Sequence, residues 1–139
     1  MEEVPMDGVV HFEMPYENRE RMTTFYESAF GWETQVLGPE MWNYVVVTTT
    51  PTTPDRMPIH PGAINGGFHE KPADPAAHHP SLVIAVQDVH EAMQKITAAG
   101  GTLLTEPMDI PGIGQYVSFR DPEGNRVSIL QPAPRNGGN

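Results

Sequence analysis

A chain of 139 residues suffices for one compact domain or two small halves sharing a core, and a hydrophobic share of 38% is enough to fill one. With no cysteine, disulfides, thiolate catalysis and cysteine-ligated zinc are excluded. The formal net charge of −10 reflects scarce Lys and Arg; it argues against nucleic acid and anionic membrane surfaces and favours cationic or neutral small ligands.

The opening "MEEVPMDG" is acidic and lacks an apolar signal core, and no apolar run approaches a membrane span, so the expected setting is cytoplasmic. Strand-like "GVVHFEMP" follows, with the strand over residues 9–14. Alternation places His11 and Glu13 on one face and Val10, Phe12 and Met14 on the other. A helix comes next, capped by Asn18 and stopped by Gly31, with Met22, Phe25, Tyr26, Ala29 and Phe30 as its apolar stripe. "WETQVLG" and "MWNYVVVTTT" read as strands joined by a Gly-Pro turn. "PTTPDRMPIHP", with four prolines, is irregular. "AINGGFHE" is a short strand carrying two glycines, and "KPADPAAHHP" is a linker.

The pattern then starts again. "SLVIAV" is a strand with Leu82, Ile84 and Val86 on one face. Asp88 caps a second helix with Glu91 three residues on; Val89, Met93, Ile96 and Ala99 form its stripe, and Gly100-Gly101 stops it. "TLLTEP" is a short strand and "IPGIG" a loop. "GQYVSFR" and "NRVSILQ" are strands joined by "DPEG", which suits a type I turn. The tail "PAPRNGG" reads as a frayed end. The order is βαβββ, a linker, then βαβββ, a weak internal repeat with an offset of about seventy residues. The modules span about residues 8–70 and 81–132 within one domain, 1–139.

"VVHFEMPYENRERMTTFYESAFGW", "GAINGG" and "DPEGNRVSILQP" together resemble the vicinal-oxygen-chelate superfamily of glyoxalases, bleomycin-resistance proteins and extradiol dioxygenases. The resemblance implies an α+β fold in which two βαβββ modules form a cup-shaped mixed sheet with helices on the outer face. It also implies a homodimer. Metal-dependent members bind a divalent ion through four positions facing the cup. Carried over by spacing, these fall at His11, at or next to Gly66, at about Ser81, and at Ser128. Only His11 is a good ligand, whereas such a site needs roughly three protein ligands. Gln131 lies one pleat from the face of Ser128 and does not replace it. No cofactor is therefore expected; the alternative is a divalent metal held by His11 with other partners.

The resulting expectation is a small-molecule-binding protein of the glyoxalase/bleomycin-resistance type, without the inherited metal site, taking a cationic or aromatic ligand. His11, Glu13, Ser81, Val83, Ala85, Tyr116, Ser118, Ser128 and Leu130 would face the cup. Trp42, Tyr44, Phe68, Tyr116, Ser128 and Ile113 are the candidate ligand contacts, although strand aromatics and loop isoleucines also serve as core. The alternative is a lyase, isomerase or dioxygenase of the same superfamily. It would depend on a metal through His11, or be metal-free with Glu13 and His11 as catalytic residues in proton transfer. Of the remaining histidines His60, His69, His78 and His79, the pair His78-His79 sits in the linker and is expected to be solvated, and a metal site built from His11, Glu13 and His69 has no spacing to recommend it.

Overall fold

The structure, a computed structural model, describes residues 6–55 and 57–134. The acidic stretch before residue 6 and most of the glycine-ended tail lie outside the described residues. The described chain runs β1 (Val9–Tyr16), α1 (Arg19–Phe30), β2 (Glu33–Val36), β3 (Val45–Thr48) and β4 (Asn65–Glu70). It continues β5 (Ser81–Ala85), α2 (Val89–Ala98), β6 (Thr102–Leu103), β7 (Met108–Ile110), β8 (Gly114–Arg120) and β9 (Arg126–Pro132). This is an α+β chain. Residues 11–81 form one compact unit; residues up to 10 and from 82 onward form the other.

In the unit of residues 11–81, β2 and β3 pair antiparallel, β3 and β4 pair antiparallel, and β4 and β1 pair parallel. The first helix starts where Asn18 accepts a hydrogen bond from Arg21 N at 2.9 Å. It stops at Gly31, whose φ of 74° lies in the left-handed region that glycine adopts without a Cβ clash. Tyr16, Val45, Val47 and Phe68 form the buried core, with Phe12, Met14, Met22, Tyr26 and Trp32 packed against it. The apolar stripe of α1 is narrower than the sequence suggested: Phe25 is 56% exposed and Phe30 63%. Only Met22 and Tyr26, one turn apart, reach the core. Phe25 and Phe30 instead lie against Tyr26, with ring centroids 4.9 and 6.0 Å away.

In the other unit, β5 and β9 pair parallel, β9 and β8 pair antiparallel, and β6 and β7 each pair antiparallel with β8. Asp88 accepts hydrogen bonds from His90 N and Glu91 N, so it caps α2 as expected. Val86, Val89, Val117, Phe119 and Ile129 are the core. Three details differ from the sequence reading. Strand β7 precedes a tight turn closed by Ile113 N to Ile110 O at 2.9 Å, where only a loop was expected. Three residues carry no periodic signal, and their pairing with β8 is decided by the partner strand. On β5 and just after it, Ile84 and Val86 pack in the core as expected, but Leu82, assigned to the same face, is exposed, and Val83, assigned to the cup face, is buried. Val10, assigned to the helix-packed side, is also exposed. The "DPEG" turn forms, with Gly124 N donating to Asp121 O at 2.9 Å.

Candidate functional site

On β1, alternation brings His11 and Glu13 to one face, as the sequence required. The parallel register sets Glu13 beside Gly67 and Phe12 beside Gly66. Gly66 faces the helix-packed side, where a Cβ would stand 2.5 Å from the Phe12 ring. The residue that shares a face with His11 and Glu13 is therefore Gly67.

Tyr44 completes this group. Its hydroxyl donates to Glu13 Oε2 at 3.1 Å and lies 3.0 Å from His11 Nε2. A short loop delivers it: residues 39–41 make one 3-10 turn, and Trp42 and Asn43 both take positive φ of 56°. Consecutive left-handed residues that are not glycine are costly and persist only when neighbours hold them. Here Tyr16 donates its hydroxyl to Asn43 O at 2.7 Å, and Leu37 N donates to Tyr44 O at 2.8 Å. A Cβ at Gly67 would fall 1.8 Å from the Tyr44 hydroxyl oxygen, so the glycine makes room for the phenol. Burial holds the His11 pKa below its ordinary value, and the nearby Glu13 charge opposes that shift.

The other unit carries a second set of hydroxyls. Ser118 and Ser128 are opposite each other on β8 and β9, both buried, with Oγ atoms 3.0 Å apart. Ser128 donates to the Tyr116 hydroxyl at 2.7 Å. Its single proton is thereby used, so Ser118 donates to Ser128. Val46 pairs with Gly67 as Ser118 pairs with Ser128, which makes Tyr44 and Tyr116 equivalent positions of the internal repeat. Each tyrosine places its hydroxyl at the last-strand position of its own unit. Gln131 points to the opposite face and accepts from Val89 N at 2.8 Å.

The remaining expected contacts divide. Phe68 is completely buried in the core and does not line a site: with His69 and Glu13 on one side of the ladder, its place in the alternation is opposite. Trp42 and Ile113 are exposed at 54% and 42%. Ser81 opens β5 and is half-buried. His69 Nδ1 lies 2.9 Å from Glu70 O, a local contact.

Three of the positions that the resemblance marks for a metal have other neighbours within their own unit. His11 Nε2 is engaged by Tyr44, the space at Gly67 is filled by the same phenol, and Ser128 is engaged by Ser118 and Tyr116. Among the described residues there is no group of three or more His, Asp or Glu suited to a metal.

Comparison with known proteins agrees with the fold. The sequence model of the Glyoxalase/Bleomycin resistance protein/Dioxygenase superfamily matches residues 8–129. Two curated proteins named "Putative glyoxylase CFP32", from Mycobacterium bovis and Mycobacterium tuberculosis, are each 39% identical over 70 residues, which is 50% of this chain and 27% of theirs. The matched stretch thus spans about a quarter of those relatives. Methylmalonyl-CoA epimerase from Mycobacterium tuberculosis superposes with a TM-score of 0.66 at 13% identity, covering 100% of this chain and 97% of that one. The hypothetical protein BH1468 from Bacillus halodurans superposes with a TM-score of 0.68 at 11% identity, covering 94% and 98%. At such identities the structural likeness shows the fold alone. With the family match covering most of its length, the chain belongs to the Glyoxalase/Bleomycin resistance protein/Dioxygenase superfamily.

Proposed function

We propose that the protein binds a small cationic or aromatic molecule at the His11–Tyr44–Glu13 face, without the inherited metal of its superfamily. The observation that supports this is the Tyr44 phenol, hydrogen-bonded to both His11 and Glu13 over Gly67. It turns a ligand position for a metal into a polar patch able to orient an organic ligand. The net charge of −10 favours a cation and disfavours the polyanionic coenzyme A esters handled by the epimerase of similar fold. Exposed Trp42 on the adjoining loop is suited to stack on a flat or cationic group. The reading includes a single domain in a cytoplasmic homodimer, the dimer being open to test by sedimentation.

A second reading is a metal-free isomerase or lyase in which His11 and Glu13 move a proton. The direct contact of both groups with one hydroxyl favours it. Calorimetric titration of the untagged protein with a panel of aromatic amines and quaternary ammonium compounds tests the binding reading, alongside zinc, nickel, manganese and iron(II). Micromolar binding of an organic cation, weakened at least tenfold by Glu13→Gln, is the expected result. Only millimolar responses throughout, or a stoichiometric metal lost in His11→Ala, would overturn it. Turnover by the metal-free protein that disappears in both His11→Ala and Glu13→Gln would establish the second reading.

A further inference from the structure

We infer that Tyr44 is a positioning residue that fixes the tautomer of His11, so that Nδ1 presents a lone pair to an N–H or O–H donor on the ligand. This deepens the binding reading above and rests on it only for the nature of the ligand. A phenol has one proton to give. The Glu13 carboxylate has none, and it receives the proton of Tyr44 at 3.1 Å. The 3.0 Å contact between Tyr44 and His11 Nε2 is then a hydrogen bond only if Nε2 carries a hydrogen and donates to the phenolic oxygen. With Nε2 protonated in the neutral ring, Nδ1 is the acceptor. The chain of donors has one direction, from His11 to Tyr44 to Glu13, and the carboxylate at its end sets that direction.

The polarity has a consequence for recognition. A ligand that meets His11 through Nδ1 is held by donating, so primary or secondary ammonium groups, amides and hydroxyls satisfy the site. A quaternary ammonium of the same charge does not. Gly67 belongs to the device, because any Cβ there would push the phenol from its place between the two groups.

The tautomer is read directly from long-range 15N–1H correlations of the imidazole at a pH where the ring is neutral, with no ligand present. Wild type is expected to show the Nε2–H form alone, beyond the partial preference of a histidine in an unfolded peptide. Tyr44→Phe keeps the ring over Gly67 but removes the hydroxyl, and should return His11 to the mixed peptide-like population. In Glu13→Ala the phenol loses the carboxylate as its acceptor and can give its proton to Nε2, which should bring up the Nδ1–H form. An Nδ1–H ring in wild type, or a tautomer unchanged in either variant, would overturn the inference. Benzylammonium and benzyltrimethylammonium then separate the ligand arm. Tighter binding of the first, with a shift of the Nδ1 resonance, supports it; equal binding of the two overturns the donor assignment, and binding of neither overturns the binding reading on which this arm rests. The tautomer measurement stands whether or not a ligand is found, so failure of the binding reading is distinguishable from failure of the relay.

Discussion

The hydroxyl oxygen of Tyr44 stands 1.8 Å from where a Cβ on Gly67 would be. Replacing that glycine is therefore a way to disturb the site without altering any of its polar groups. Gly67→Ala should lower stability by about 1–3 kcal/mol, the usual cost of overpacking, and release His11 and Glu13 from the phenol. Urea denaturation together with the His11 imidazole resonances measures both effects. Gly8→Ala, where a Cβ would meet nothing within 4 Å, is the matched control and should change neither.

Stability should depend on pH through His11. Burial lowers its pKa below 6.5, with the Glu13 charge opposing, and the Tyr44 hydroxyl lies 3.0 Å from its Nε2. The unfolded chain then takes up a proton at a pH where the folded chain does not. The contribution is complete above 6.5 and declines as pH falls from there towards the lower folded value. The difference in urea midpoint between wild type and His11→Asn should shrink over that range. A difference that grows as pH falls below 6.5 would contradict the sign. Asp121, held below its ordinary 3.8 chiefly by its side-chain hydrogen bond with Asn125, acts only at more acidic pH.

Phe68 and Trp42 should behave in opposite ways. Phe68 is fully buried, so Phe68→Leu is expected to cost about 1–2 kcal/mol in folding and leave the affinity of the folded protein for an organic cation unchanged. Trp42 is 54% exposed, so Trp42→Ala should stay within about 0.5 kcal/mol of wild type in stability. Its effect should appear in affinity for aromatic ligands. Thermal unfolding and calorimetric titration of the two variants check the pair.

The cap of α2 gives a purely structural test. Asp88 accepts from His90 N at 2.9 Å and Glu91 N at 3.1 Å. Asp88→Ala should cost about 1 kcal/mol by leaving helix-end donors without that acceptor, while Asp88→Asn should recover most of it. Equal losses in both variants, measured by denaturation, would show that the cap acts through charge instead of the hydrogen bond.

Local rules in the sequence were sufficient for much of this protein. Asn18, Gly31 and Asp88 mark helix ends through backbone groups only a few residues away. The alternation of β1 is equally local, so the shared face of His11 and Glu13 was legible, as was the opposite direction of Gln131 relative to Ser128. What packs on an outward-looking position was not. Periodicity predicted Phe25, Phe30, Leu82 and Val10 as covered, but whether a neighbour reaches them depends on the placement of other elements. The role of Tyr44 was hidden for the same reason. Thirty-three residues separate it from His11, and strand pairing between β3, β4 and β1 brings them together. Sequence alone determined which side chains share a strand face, because that follows from backbone geometry. Only the tertiary structure decided that a phenol occupies the space above Gly67, because register and loop closure are set by contacts between distant segments.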